Sequence, residues 1–439
     1  MQYLYVMVSH NPDAQKSLVG MNTAQTGDFL YSLIGGLRQK DLGFHTITNE
    51  AMKIREYSQR YKQTRENKFY ADSGGYSILS GLIPKVLIPR VLKTYQRYLQ
   101  YEGNIFDYIF TLDVAYSKKH PEINKKQFIY DINKLVLRDL ICEIERNPNL
   151  MEKVFFVWHF KMLSQYEIFK YLYREMDLAK YINNYSIGGM VGMRTKNSFN
   201  FSPFTPMVYR CLLDHVQNGK DIPFRLHFLG MYLVYDRFQI AFLEKMCRRY
   251  LFETNTEVFF SYDSINFEHT ARLNKNQPIY DLENRTDIVR YDTALNVPDS
   301  IISAVYNDSN TFESIKVELD RRRQGLRLFN SDSLGALSIY SNLKLDRFFE
   351  NIIEEYEMDQ VFFNYESPTA IQSEIKKILK DIKNTYAHVF SNQMIQSIEE
   401  NMDSVFIFHN WFVNNKKADD LDGHIKDFIR KINFGDYLT

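Results

Sequence analysis

Two aspartates stand at positions from which they could carry covalent sugar chemistry. Asp72 precedes a Ser-Gly-Gly run, and Asp263 directly follows the aromatic-rich run 258–262. A carboxylate can capture an anomeric carbon as its substituent leaves, while a second acid/base group protonates the departing group. The two groups need opposite protonation states, which different local surroundings can provide. Base exchange at a nucleoside would need such a pair of carboxylates.

The candidate strands all end in glycine or in a polar residue. These ends are Ser9-His10, Asp72-Ser73-Gly74-Gly75, Asp113, His159, Gly188-Gly189, Gly230 and Asp263. In a barrel of parallel strands the carboxyl ends converge on one mouth, and catalytic side chains lie there. Any one of these residues alone could simply cap a helix or form a turn. All of them together favour a shared site.

Short β-rich runs alternate with stretches of helical periodicity from residue 1 to about residue 290. The candidate strands are residues 3–8, 69–71, 108–112, 154–158, 185–187, 225–229 and 258–262. This alternation is typical of parallel strands joined by crossover helices. An eighth strand is expected near residues 45–47. Eight strands would close a barrel, whereas six or seven would leave a doubly wound sheet. We predict an α/β chain with a (β/α)8 TIM barrel over residues 1–300.

Residues 301–439 show helical periodicity alone, which predicts a helical C-terminal domain. The clearest helix has Ser367 as its N-cap and Pro368 at its first position, followed by isoleucines at helical spacing. The triple-arginine run 321–323 is the most basic segment of this region. It is either a solvated helix face or a patch that contacts phosphates.

The bulk composition sets few limits on function. The 54 basic and 54 acidic side chains cancel, so only a local patch could bind a polyanion. Cys142, Cys211 and Cys247 lie far apart without metal-binding spacing, which predicts buried free thiols and no metal site. The apolar N-terminal run is too short for a signal peptide, and no segment reaches the ~18–20 apolar residues of a membrane span. We expect a soluble, cytoplasmic protein with no membrane partner.

Five short motifs, in order along the chain, resemble those of the tRNA-guanine transglycosylases. Residues 69–80 resemble the family's aspartate–Ser–Gly–Gly–aromatic motif, 185–192 its isoleucine–Gly–Gly motif, 225–230 its histidine-containing strand, and 262–264 with 271–272 its nucleophile motif in the archaeal form. Asp113 stands where the family has its substrate-binding aspartate. Each motif alone is weak, but five in the same order at strand ends form a fairly specific pattern.

The resemblance implies a role for each matching residue. Asp263 would be the nucleophile and Asp72 the general acid/base, while Asp113 would accept the N–H donors of a guanine edge. The other substrate-binding positions that it implies are Ser73, Gly74, Tyr76, His159, Gly188, Gly189, Leu229 and Gly230. The paired glycines would bring backbone amides close to the base, unless they only shape a turn. Tyr76 and Leu229 would sandwich its ring, unless they are ordinary core residues.

Two departures from the family pattern narrow the interpretation. His159 stands where the family carries Gln-Gly, so it either donates a hydrogen bond to an altered base or is only a packed rim residue. The family's three-cysteine, one-histidine zinc site, which supports tRNA docking and dimerisation, is absent from the sequence. These losses favour the DNA-guanine transglycosylases of phages and bacterial modification clusters. Such an enzyme flips its target guanine out of the duplex, at a cost of roughly a few kcal/mol.

We therefore predict a DNA-guanine transglycosylase of the cytoplasm, or of the host cytoplasm for a phage protein. Its partners would be DNA and a free 7-deazaguanine base, and it would use no cofactor; its oligomeric state stays open. The alternatives are a zinc-free enzyme acting on tRNA, a non-catalytic subunit of a modification complex, and an unrelated barrel hydrolase. Basic residues ahead of Asp72 could contact nucleic acid at the mouth or only be solvated surface; they are Arg55, Arg60, Lys62, Arg65 and Lys68.

Overall fold

Eight parallel strands form the central sheet of the molecule. The computed structural model describes residues 1–7, 28–32, 68–102, 106–117, 121–160, 162–189, 204–219, 221–231, 234–263, 278–306, 309–325, 332–414 and 418–431. The strands are β1 Gln2–Met7, β2 Asp28–Ser32, β3 Phe69–Asp72, β4 Tyr108–Phe110, β5 Val154–His159, β6 Asn184–Gly188, β7 Phe224–Phe228 and β8 Val258–Asp263. They pair in chain order, and β1 also pairs with β8, so the sheet closes on itself.

Helices connect the strands from β3 onward. They are α1 Gly75–Leu79 and α2 Ile88–Arg97 after β3, α3 Lys126–Arg146 and α4 Leu150–Lys153 after β4, α5 Leu163–Glu175 after β5, α6 Thr205–Gln217 after β6, and α7 Val234–Tyr250 after β7. The predicted α/β class with parallel strands is therefore confirmed. The connections after β1 and β2 lie outside the described residues.

All seven candidate strands are present, with ends that differ by one or two residues from the prediction. The eighth strand of the closed sheet is β2, at residues 28–32, whereas the segment proposed for it, residues 45–47, lies outside the described residues. β2 was missed because its apolar run is only three residues long and is flanked by Asp28 and Ser32. By contrast β5, which is buried along its whole length, has the continuous apolar sequence typical of parallel strands covered on both faces.

The alternation of side chains along each strand separates two cores. On β3, Phe69 and Ala71 pack in the outer core between sheet and helices, whereas Tyr70 packs inside the barrel. The inner core consists of Leu4, Leu30, Tyr70, Phe110, Phe155 and Val157. Asp72 lies two residues after Tyr70 and so shares its face. The inner core therefore forms an apolar floor beneath the strand ends.

A hairpin and a series of helices follow the barrel strands. They are β9 Ile279–Leu282, β10 Ile288–Tyr291, α8 Asp299–Val305, α9 Ser309–Arg323, α10 Asp332–Glu355, α11 Met358–Asn364, α12 Pro368–Thr385, α13 Asn392–Asn414 and α14 Ala418–Lys431. The helix with Pro368 at its first position begins where the sequence predicted, whereas the hairpin was not predicted. α10 packs against β1 and α7 and covers the barrel between its last and first strands. Among the described residues, no helix combines the length and the apolar composition of a membrane span.

A buried carboxylate joins the last described helix to the barrel. Asp422 of α14 accepts hydrogen bonds from Tyr166 at 2.6 Å, Arg174 at 2.9 Å and Arg210 at 3.1 Å, and Lys170 Nζ lies 2.9 Å away. Burial alone would raise the pKa of Asp422, but the Tyr166 hydroxyl, Arg210 and Lys170 outweigh it and hold the pKa below its ordinary value. Asp422 therefore stays charged at neutral pH and links α14 to α5 and α6.

Asp422→Asn is expected to destabilise the protein by about 3 kcal/mol or more, because it leaves buried cations without their counter-charge. A carboxyl with a lowered folded pKa stabilises above its unfolded pKa, and that contribution is lost as the pH falls through the folded pKa. The variant should therefore lose less stability in acid than the wild type. Urea unfolding at neutral and acid pH measures both effects. Asp427→Asn, at an exposed position of the same helix, is the control; an unchanged midpoint for Asp422→Asn would contradict the role of this cluster.

Candidate active site at the mouth of the barrel

Asp263 is the last residue of β8, and its carboxylate is held at one oxygen. His227 Nε2 lies 3.1 Å from Asp263 Oδ1, and the backbone N–H of Gly230 donates to the same oxygen at 2.9 Å. The His227 ring is fully buried, and its Nδ1 lies 2.9 Å from Ser261 Oγ. Within the described residues both hydrogen bonds use Oδ1. The carboxylate is thus fixed in orientation through Oδ1, while Oδ2 accepts no hydrogen bond from the described residues.

The strand that carries Asp263 is also fixed from outside the barrel. The preceding residue, Tyr262, points to the other face of β8 and donates from its hydroxyl to Asp346 Oδ2 at 2.7 Å. Arg237 of α7 donates to Asp346 Oδ1 at 2.9 Å, and its guanidinium lies 5.5 Å from the centre of the Tyr262 ring. Because Asp346 belongs to α10, the C-terminal helices help to position the end of β8.

Asp72 is the last residue of β3 and differs from Asp263 in its surroundings. Ser32 Oγ, from the neighbouring strand β2, donates to Asp72 Oδ2 at 2.9 Å. Burial, together with the negative charges of Asp263 and Asp113, raises the pKa of Asp72 to about 7 against the lowering effect of the Ser32 hydrogen bond. The carboxyl is therefore divided between its acid and its base form near neutral pH. Such a group can both donate and accept a proton.

Asp113 and His159 form a third polar group at the mouth. Asp113 lies in the loop after β4, and its Oδ2 is in hydrogen-bond contact with Nε2 of His159, the last residue of β5. Both side chains are buried, and the His159 ring packs 5.2 Å from the ring of Phe169. Asn133 binds the N–H of Val114 at 3.0 Å and so holds the loop. The two candidate base-binding residues therefore contact each other.

Glycines at three strand ends have left-handed backbone conformations. Gly74, Gly189 and Gly230 follow β3, β6 and β7 and have φ angles of 78°, 77° and 76°. Residues with a Cβ adopt this region at a cost, so the chain can turn sharply here only with glycine. Gly188 has no such φ, but a Cβ on it would lie 2.8 Å from Val157 Cγ1 and 3.2 Å from the His159 ring. The turns keep the polar strand ends close to one another.

Gly75→Ala is expected to destabilise the protein by about 1–3 kcal/mol, the usual cost of overpacking. The added Cβ would lie 2.8 Å from the backbone oxygen of Asp113 and 2.9 Å from its Oδ1, so the Asp113 loop must shift. Thermal unfolding measures the loss. The control is Gly423→Ala, whose Cβ meets nothing within 4 Å and which should be neutral or slightly stabilising in its helix. Equal unfolding temperatures for the two variants would contradict the close contact.

The remaining predicted base-binding residues differ in what they can offer. Ser73 is buried, and its Oγ accepts the Gly75 N–H at 3.2 Å, so it takes part in the turn. Leu229 is partly buried and packs on the inner core. Tyr76 is in α1, but its side chain lies outside the described residues, so the predicted ring sandwich stays a prediction.

Two residues of the site were not singled out by sequence reasoning. Ser32 contacts Asp72 through the β2–β3 register and could not be found without β2. His227 lies in a motif that the sequence did indicate, but its role as the hydrogen-bond partner of Asp263 was missed. The signal was available, because His227 is a polar residue in the middle of an otherwise apolar strand end.

The amino-terminal end of the barrel contains a cavity of about 560 Å³, lined among others by Asp28, Lys68 and Arg225. Asp72, Asp113 and Asp263 are not among its lining residues. Lys68 immediately precedes β3 and therefore lies at the opposite end of that strand from Asp72. Of the two interpretations given for Lys68, contact with nucleic acid at the mouth does not fit this position. The other basic residues of that set, Arg55, Arg60, Lys62 and Arg65, lie outside the described residues.

The cysteines differ in exposure. Cys211 and Cys247 are buried, and burial raises the pKa of both thiols, whereas Cys142 is exposed, contrary to the prediction, because it lies on the outer face of α3. Within the described ranges, no three His, Cys, Asp or Glu side chains are grouped so as to hold a metal ion.

No protein-family model matches the chain, and no curated protein matches it.

Proposed function

We propose that the protein is a DNA-guanine transglycosylase, which exchanges guanine in DNA for a 7-deazaguanine base such as 7-cyano-7-deazaguanine. The observation that carries the proposal is the pair of carboxylates at the mouth in unlike surroundings. Asp263 accepts two hydrogen bonds at Oδ1, whereas Asp72 is held by Ser32 close to two further carboxylates. Retaining glycosyl transfer needs such a pair, one group as nucleophile and one as acid/base.

In the first half-reaction Asp263 Oδ2 attacks C1′ of the deoxyribose and forms a C–O bond. The glycosidic C1′–N9 bond breaks, and its electron pair leaves with guanine. Asp72 in its acid form gives its proton to the departing base, which becomes neutral guanine. The product is a covalent ester between Asp263 and the sugar, with Asp72 left as a carboxylate.

The second half-reaction reverses these roles with a different base. The incoming 7-deazaguanine loses its N9 proton to the Asp72 carboxylate, and N9 attacks C1′. The ester bond to Asp263 breaks, and its electrons return to the carboxylate. Asp72 ends in its acid form, so no proton is gained or lost over the cycle. His227 and Gly230 hold Asp263 Oδ1 throughout and keep Oδ2 directed at the sugar.

The base would lie between the polar strand ends and the apolar floor of the barrel. Asp113 offers acceptors to the N–H groups of the guanine edge, and His159 holds Asp113 in place or shares the base with it. The absence of a side chain at Gly188 lets the His159 ring pack directly against the backbone of β6, which supports the position of the ring beside Asp113. Leu229 offers an apolar face at the top of the inner core.

The scaffold in this proposal is a complete (β/α)8 barrel. Eight parallel strands in closed order and helical connections after β3 to β7 support it. We propose DNA and not tRNA as the substrate, because the sequence lacks the zinc site that accompanies tRNA docking in the family it resembles.

The test is to trap the covalent intermediate. A guanine-containing DNA duplex and, separately, tRNA are incubated with the protein without an incoming base and quenched in denaturant. We expect a protein–DNA adduct on Asp263, identified by peptide mass spectrometry, with one free guanine per adduct and reversal by excess guanine. An adduct with tRNA alone would favour the zinc-free tRNA enzyme. No adduct and no released guanine with either nucleic acid would overturn the proposal.

A further inference from the structure

The segment between α1 and α2, residues 80–87, forms a rigid rim beside Asp72. The N–H of Ile83 donates to the Ser77 carbonyl at 3.1 Å, and the Ile83 side chain is fully buried. Ser117, in the loop that also carries Asp113, donates from its hydroxyl to the Leu79 carbonyl. The rim segment is therefore held by α1, and the loop that carries Asp113 holds the last residue of α1 in turn.

Two large apolar side chains project from the rim segment into solvent. Leu82 is 59% exposed and Val86 is 78% exposed, whereas Ile83, which follows Leu82 in the sequence, is buried. Exposed aliphatic side chains on an anchored turn contribute nothing to the core. Proteins that distort duplex nucleic acid insert such side chains between base pairs and so unstack them.

Exposed cations continue the rim segment along α2. Lys85 in the rim segment and Arg90, Lys93 and Arg97 in α2 are all exposed. The spacing of the three α2 residues places them in one row about 10 Å long, at about 1.5 Å per residue. Four successive phosphates of one strand span a comparable length, because they are separated by three steps of about 3.4 Å along the axis.

The charge of this part of the chain is one-sided. No Asp or Glu occurs between Asp72 and Glu102, in a protein whose charges otherwise balance at 54 against 54. The surface formed by the rim segment and the cationic row of α2 therefore fits a polyanion, whereas a protein partner with exposed cations would be repelled. The apolar pair lies at the end of the row nearest the site.

We infer that this surface is where duplex nucleic acid docks: the row on α2 binds the phosphates of one strand, and Leu82 and Val86 enter the space vacated by the flipped base. The inference rests on the proposed function for the identity of the flipped base. It adds to that function the part of the molecule that receives the polynucleotide. The docking of the backbone itself is independent of any chemistry at Asp263.

The proposed contact between the α2 row and the phosphates is tested by measuring DNA binding. The triple variant Arg90→Ala, Lys93→Ala and Arg97→Ala, which removes the α2 row, is compared with Lys376→Ala, Lys377→Ala and Lys380→Ala, which removes three exposed lysines from α12. Fluorescence anisotropy with a labelled duplex, at several salt concentrations, gives the affinity. We expect the first variant to bind at least about tenfold more weakly, with a salt slope smaller by about 2.7, because each phosphate contact contributes about 0.9. The control variant should bind like the wild type.

The proposed role of Leu82 and Val86 in base flipping is tested by comparing base exchange in double-stranded and in single-stranded DNA. Leu82→Ser with Val86→Ser should slow base exchange in a fully paired duplex about tenfold or more. Exchange in single-stranded DNA, where extrusion is cheap, should change by less than about twofold. The same variant should keep wild-type affinity for the phosphate backbone.

The outcomes separate this inference from the proposed function. If the wild type exchanges bases and the triple variant behaves like its control, the docking surface is elsewhere and the function stands. If the wild type binds the duplex through the α2 row but releases no guanine, the docking surface stands and the function fails. A wild type that binds no duplex, or a serine variant equally slow on paired and single-stranded DNA, overturns the inference.

Discussion

An Asp263→Ala variant is expected to lose base exchange by about 10⁴-fold or more, because Asp263 forms the bond to C1′ in the proposed mechanism. The covalent adduct should disappear with it. Folding should be preserved, since Asp263 lies at a strand end and the inner core below it is unchanged. Guanine release from DNA and denaturing electrophoresis of the adduct measure the loss, and thermal unfolding checks the fold.

His227→Gln is the comparison for Asp263→Ala, because it changes a hydrogen-bond partner of the proposed nucleophile and not the nucleophile itself. It removes the imidazole beside Asp263 Oδ1 and leaves the carboxylate in place. We expect a slower but measurable exchange, with the adduct still on Asp263. A full rate of exchange by Asp263→Ala, or an adduct on another residue, would contradict the assignment of the nucleophile.

The second large effect concerns the pH dependence that Asp72 imposes. Guanine departure needs Asp72 in its acid form, and burial raises the pKa of Asp72 to about 7. The rate of guanine release in a single turnover should therefore be full below that pH and fall about tenfold per pH unit well above it. Asp72→Asn should lower the rate by about 10²–10⁴-fold and remove this alkaline decline.

Ser32→Ala provides the control for the origin of that decline. The hydrogen bond from Ser32 lowers the pKa of Asp72, so its removal should move the alkaline decline to higher pH while exchange persists. A decline that is unchanged in Asp72→Asn would show that another group titrates. An unchanged alkaline decline in Ser32→Ala would show that the hydrogen bond from β2 to β3 does not lower the pKa of Asp72.

The strand ends were predictable because their signal is local. Asp72, Asp113, His159 and Asp263 each follow a short apolar run, and parallel strands bring such ends together whatever else the chain does. The position along a strand also fixes the face, so Asp72 shares the barrel interior with Tyr70 two residues earlier.

The features that could not be predicted from the sequence depend on contacts between residues far apart in the chain. β2 is recognisable only through its pairing with β1 and β3, and with it the Ser32–Asp72 hydrogen bond. The Tyr262–Asp346 contact joins residues 84 positions apart, and no local pattern indicates it. Lys68 was a candidate for the mouth because it is close to Asp72 in the sequence, but the two residues lie at opposite ends of β3.

The most direct test of the central claim is nucleoside mass spectrometry of DNA and tRNA after incubation with the purified protein and a free 7-deazaguanine base. We expect a 7-deazaguanine deoxynucleoside in the DNA, formed by the wild type and absent with Asp263→Ala. The modified ribonucleoside in tRNA, with none in DNA, would contradict the choice of polynucleotide. Unmodified DNA and unmodified tRNA would contradict the proposal that the mouth is a base-exchange site.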